Sequence, residues 1–343
     1  IGINALQELN EDLKVLVNGK QVYSQKIALR PMEVFSKKIP VLKSDIIEVL
    51  VGDRKLYYTN NAGKTLIKRP FYSDSDLKVS ESEALYTRGW EEMKFRVYDK
   101  AYESFSDLIK IDPSHQAALV KLSELEYRKT NYIKALEFAN SALQIDTYNP
   151  GANYMAGIIY RTQKDYINAL ESLGWAARDV KFRSVSYAQM AEIYVALGNS
   201  ERAASYARKA LDFNTYNLNA RKVLLLLARE EKDAEKFQNA QEELLNIDPL
   251  DHFAVVESDF LDSNGVLKGN LKDNFQNEFP EESILDLALY YYGLGHAKES
   301  IELLSNAGNS PKAEVWLAYL LKDSDSPKSD KLLKQVLMGP TDF

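Results

Sequence analysis

The chain has 343 residues, a formal net charge of −7, 45% hydrophobic and 27% charged residues, and no cysteine. That balance describes a folded protein rather than a disordered one, with room for two or more domains. It excludes disulfides, Cys-based zinc sites and thiol catalysis, and no apolar run approaches the ~18 residues of a membrane helix.

Charge is unevenly spread. Residues 1–80 carry 13 Lys/Arg against 9 Asp/Glu, whereas residues 81–343 carry 30 against 41. An acidic second part lacks the basic stripe that nucleic-acid binding requires, so no nucleic-acid partner is expected. No membrane insertion is expected either. The absence of cysteine leans towards an extracytoplasmic location, with the cytoplasm as the alternative. The first residue is Ile1, without a signal-peptide pattern, and both ends read as cuts within a longer or processed protein.

Residues 1–60 read as short strands. LKVLV and KQVYSQKIAL flank Asn18-Gly19, the pair that supplies two positive-φ residues to a type I′ hairpin turn. A second hairpin is expected through Gly52-Asp53. The segment predicts a small β-sandwich of immunoglobulin-like type, too thin to bury much apolar area by itself. Residues 61–81 form a polar connection. Its Gly63-Lys64-Thr65 lacks the earlier glycine of a phosphate-binding loop. Ser80, with Glu83 three residues on, opens a helix.

From residue 82 the chain is periodic. Ala101, Ala135, Ala169 and Ala203 are 34 residues apart, the period of the tetratricopeptide helix–turn–helix repeat. IKIDP ends at Pro113 and LNIDP at Pro249, in the same phase. Gly89, Gly157 and Ala191 stand where the paired helices must approach closely. Five repeats are expected over 82–251, an irregular insertion over 252–280, and terminal helix pairs over 281–343. The fold class is mainly α: a right-handed tetratricopeptide solenoid of about six helix pairs behind the β segment.

No catalytic constellation is legible. His115, His252 and His296 lie in or beside inter-helix turns without metal-ligand spacing. Asp248, Asp251 and His252 read as a capping turn. The chain is expected to be no enzyme by itself, without cofactor or metal, and to act through surfaces. In repeats of this kind the first helix of each pair lines the concave face. The candidate contact surface is Tyr86, Trp90, Tyr127, Tyr154, Met155 and Ile158. Its occupant is expected to be a protein, either the remainder of the same polypeptide or a separate partner, with the β segment as one candidate cover.

Several segments together resemble a bacterial family of unassigned function. They include VYSQKIALRPMEVFSKKI, LGWAARDVKFRSVSYAQMAEIYVALGN and NIDPLDHFAVVE. Members of that family join a galactose-mutarotase-like β-sandwich to a C-terminal tetratricopeptide array. The resemblance implies a sugar-binding N-terminal domain absent from this chain and an indirect link to carbohydrate metabolism. The chain would then be a scaffold, or alternatively the supporting half of a carbohydrate-active enzyme.

Overall fold

The computed structural model describes residues 1–52, 56–64, 79–262, 267, 275, 278–308 and 310–338. Asp53, most of the connection 61–81 and the Asn264-Gly265 pair lie outside them. The chain divides into two compact units, residues 1–79 and 80–343.

In the first unit, β1 (Gly2–Asn4) pairs with β4 (Val34–Ser36). The strands β2 (Leu9–Val17), β3 (Lys20–Leu29), β5 (Ile47–Val51) and β6 (Leu56–Thr59) form an antiparallel sheet in the order β3-β2-β5-β6. Asn18 and Gly19 have φ of 50° and 80°, and Val17 faces Lys20. This is the type I′ geometry that the Asn-Gly pair predicts. Gly52 also has positive φ, at 55°, before the return into β6. Alternation along β2 sends Leu13 and Val15 inwards, against Ile27, Val49 and Val51. Ile3 and Phe35 of the ribbon join that cluster. Among the described residues the unit holds a four-stranded sheet and a two-stranded ribbon, against the seven strands of an immunoglobulin sandwich.

The second unit is helical. Ser80 accepts from the Glu83 amide at 3.2 Å and starts α1 (Glu81–Lys94), which pairs with α2 (Tyr98–Ile111). The next pairs are α3 (Gln116–Arg128) with α4 (Tyr132–Ile145), and α5 (Pro150–Thr162) with α6 (Tyr166–Ala176). They continue as α7 (Val180–Ala196) with α8 (Ser200–Phe213), and α9 (Leu218–Glu231) with α10 (Ala234–Leu245). A further helix, α11 (His252–Asp262), begins 34 residues after the start of α9. Two pairs follow: α12 (Pro280–Gly293) with α13 (Ala297–Ser305), and α14 (Pro311–Leu321) with α15 (Ser326–Met338).

Small residues set the spacing within each pair. Ala101, Ala135, Ala169 and Ala203 are fully buried. A Cβ on Gly89 would lie 2.8 Å from Phe105, and one on Gly157 would lie 2.7 Å from Leu173 Cγ and 3.3 Å from its backbone nitrogen. Polar residues repeat with the same period. Asn131, Asp165, Asn199 and Asp233 each accept from a backbone amide three residues on, capping the second helix of their pair. In the first five pairs the turn between the helices holds one left-handed residue: Arg96, Thr130, Lys164, Gly198 and Lys232 have φ between 55° and 70°. Only one of these is glycine, so the other four carry the steric cost of that conformation.

Two substitutions of opposite sign follow. Gly157→Ala forces a methyl group into Leu173 and is expected to destabilise by about 1–3 kcal/mol. Thr130→Gly relieves a β-branched residue in a left-handed turn and is expected to stabilise by roughly 0.5 kcal/mol. Urea denaturation of the second unit's helical signal measures both.

Candidate functional site

The array does not run straight away from its own concave face. The turn after α12 contains Gly295, with φ 84°, whose Cβ would stand 3.4 Å from the Ala196 Cα and 3.5 Å from its carbonyl oxygen. Helix α12 therefore lies against the C-terminal end of α7. Tyr290 donates to Glu192 Oε1 at 3.0 Å. Glu192, only 1% exposed, also pairs with Arg161 at 2.5 Å, and Arg161 donates to Gln189 as well. One turn further out, Lys164 donates to the Tyr292 hydroxyl at 3.2 Å, with its ammonium 4.6 Å from the same ring's centre.

These contacts fold a groove of about 960 Å³ between the concave helices and the C-terminal pairs, within the range of ligand sites. One wall holds Tyr127, Tyr154, Ile158, Arg161 and Gln189. The other holds Leu289, Tyr292, Val315, Trp316 and Tyr319, and Tyr132, Tyr166, Thr162 and Lys164 also belong to the lining. The rings of Tyr292, Trp316 and Tyr319 form a cluster with centres 5.7–6.4 Å apart, the spacing of favourable edge-on contacts. No Asp or Glu belongs to the lining among the described residues.

The groove alters its phenols. Burial, helped by the Glu192 charge, pushes the Tyr154 hydroxyl up to about 12. For Tyr292, burial acts upwards, but hydrogen bonds from Tyr319 and Lys164 and the Lys164 charge outweigh it and lower the hydroxyl. The Lys164 ammonium is raised in turn, chiefly by its bond to Tyr292.

Three of the six residues expected at the contact surface, Tyr127, Tyr154 and Ile158, meet in this groove. Met155 does not. It is 5% exposed and packs with Ala135, Ala139, Ala156 and Ile159, because positions 154 and 158 share a helix face that 155 leaves by about 100°. The expectation for Met155 is corrected to core packing. Tyr86 and Trp90 lie on α1, outside the groove lining. Tyr86 packs on Phe105 and His115. Trp90 is 40% exposed, with Lys121 4.7 Å and Lys94 5.8 Å from its ring centre.

The three histidines are accounted for by packing and capping. His115 Nδ1 accepts from the Ala118 amide at 3.1 Å, His252 stacks on Phe275, and His296 lies 3.3 Å from Glu299. Asp248 and Asp251 accept from the Leu250 and Ala254 amides, the capping turn read from DPLDH. Among the described residues no helix is long and apolar enough to cross a membrane.

A second polar cluster holds α11 in place. Arg229 pairs with Glu257 at 2.8 Å and with Glu299 at 3.1 Å. Tyr291 donates to Glu257 at 2.5 Å. Glu257 is fully buried, and burial pushes its carboxyl up against the pull of Arg229 and Tyr291. Glu299 is different. Burial raises it, yet hydrogen bonds from His296 and its own amide, with the charges of His296 and Arg229, hold it at about 2.

Residues 185–217 match a family described as tetratricopeptide repeat. Residues 92–195 match the TT21 fifth ARM repeats domain. The 34-residue period and the two-helix unit decide between them, since armadillo repeats run to about 40–47 residues. The helical unit is a tetratricopeptide-repeat array. A TPR repeat-containing protein of Methanocaldococcus jannaschii, MJ1428, is 25% identical over 270 residues, covering 71% of this chain and 47% of the relative. The chain thus spans about half the length of that curated relative. Among solved structures, Pseudomonas aeruginosa PilF aligns at 15% identity, over 74% of this chain and 97% of its own, with a TM-score of 0.47. A tetratricopeptide repeat protein from Parabacteroides merdae aligns at 15% identity, over 76% and 94%, with a TM-score of 0.45.

The Glu299 value sets a pH dependence for the array. A carboxyl whose folded value lies below its ordinary 4.5 contributes stability above 4.5, and loses it as pH falls towards 2. Glu299→Gln is expected to destabilise the array at pH 7 and to flatten the acid limb between about pH 4.5 and pH 2. Thermal melts of both proteins across that range check it.

Proposed function

We propose that this chain is a non-catalytic protein-binding scaffold and that the aromatic groove between α5, α7, α12 and α14 is its contact surface. The observation that supports the reading most is the concentration of tyrosine and tryptophan on both walls of one concavity. Aromatic side chains dominate contact energetics where a partner desolvates them. Tyr319 is 58% exposed, and its ring meets Trp316, which is half-buried against the core. The tetratricopeptide array supplies a rigid frame for such a surface, because each repeat fixes its neighbour.

The occupant in this reading is a polypeptide segment, supplied by another protein or by another part of the same polypeptide. The resemblance to mutarotase-linked proteins would make the chain the supporting half of a larger sugar-related protein. No residue of the groove carries that context.

A photo-crosslinking amino acid at Tyr319, with a control at Ile133 on α4, 73% exposed, tests the reading in native extracts. A protein adduct at 319 and none at 133 is expected. Equal labelling at the two positions, or none at 319, overturns it.

A further inference from the structure

The groove inverts the charge of the unit that builds it. Residues 81–343 carry 30 Lys/Arg against 41 Asp/Glu, yet the described lining holds Arg161 and Lys164 and no carboxylate. The two cations are not equivalent. Arg161 is spent on Glu192, which lies beneath the wall and also takes the Tyr290 hydroxyl. Lys164 makes no ion pair among the described residues. Its contact is the Tyr292 hydroxyl, which uses one of the three donors of an ammonium. Two donors remain, on an exposed ammonium held beside the Tyr292 ring.

We propose that the groove takes an acidic internal segment of a partner protein, with a side-chain carboxylate on Lys164 and an adjacent apolar or aromatic side chain against Trp316 and Tyr154. This deepens the scaffold reading and rests on it. A single unspent ammonium flanked by hydroxyls suits one side-chain carboxylate. It does not make the multi-donor clamp that a chain-terminal carboxylate needs, so a free C-terminus is not required. A basic segment is drawn to the acidic exterior of the unit but meets the unspent Lys164 ammonium inside the groove. Charge thus selects the occupant and apolar contact holds it.

The test uses the full 343-residue chain on an array of randomised, amidated peptides of about ten residues, a length that spans roughly 33 Å when extended. Peptides enriched in Asp or Glu together with Phe, Tyr or Leu are expected. Their retention should weaken about tenfold or more in Lys164→Glu and by a smaller factor in Lys164→Gln. It should be unchanged in Lys110→Glu, whose side chain is 74% exposed on α2. Unaltered helical melts of the variants separate lost binding from lost folding. Enrichment of basic or uncharged peptides, binding indifferent to Lys164, or binding that needs a free carboxyl terminus overturns the inference. A protein adduct at 319 alongside any of those results leaves the scaffold reading standing. No enrichment and no adduct removes both.

Discussion

Everything in the helical unit depends on how closely two helices of one repeat can come together. At Gly89 and Gly157 there is no room for a single extra carbon, because Phe105 and Leu173 already occupy the space. The fully buried alanines at 101, 135, 169 and 203 repeat that constraint once per unit. With the first helix held this close, its inner face is fixed in rotation. Tyr154 and Ile158 then point into the groove while Met155 and Ile159 point into the core. A change of one small residue to a larger one would move a wall of the binding surface as well as a packing contact.

The same spacing explains what could be read from the sequence. Period, pairing, the Ser80 cap and the Asn18-Gly19 turn all follow from local rules, with partners a few residues to one repeat away. Tyr127, Tyr154 and Ile158 were reachable because groove positions recur with the repeat. Met155 was misplaced by one position, which on a helix is enough to exchange surface for core. Lys164, Tyr292, Trp316 and Tyr319 escaped because their meeting spans well over 100 residues, and no periodicity reports where a coiled array returns upon itself. The one available signal was chemical. TNYIKALEF and YYYGLGH place tyrosines at helix edges where solvent-facing charge is the norm.

Two buried carboxylates mark where that return is fastened. Glu192 joins Arg161 of one repeat to Tyr290 of the C-terminal part, and Glu257 joins Arg229 to Tyr291. Each is taken out of water and met by a cation and a phenol, a geometry in which removing one partner costs far more than the pair contributes. Such pairs specify an arrangement more than they stabilise it. They fasten α11 and α12 to the array without leaving the following helices free to choose another docking angle.

The left-handed residue at the head of α6 has a further consequence. Lys164 sits in the turn of the third repeat and touches Tyr292, 128 positions later. A solenoid is ordinarily a line of neighbours that frays from its ends, one repeat at a time. A bond from its middle to its far end turns part of that line into a closed loop. The enclosed repeats then share a boundary, so loosening at α12 is felt at α6 without passing through each repeat in between. A partner seated across the groove would tighten that loop, and an array of nearly independent units would open and close as one piece.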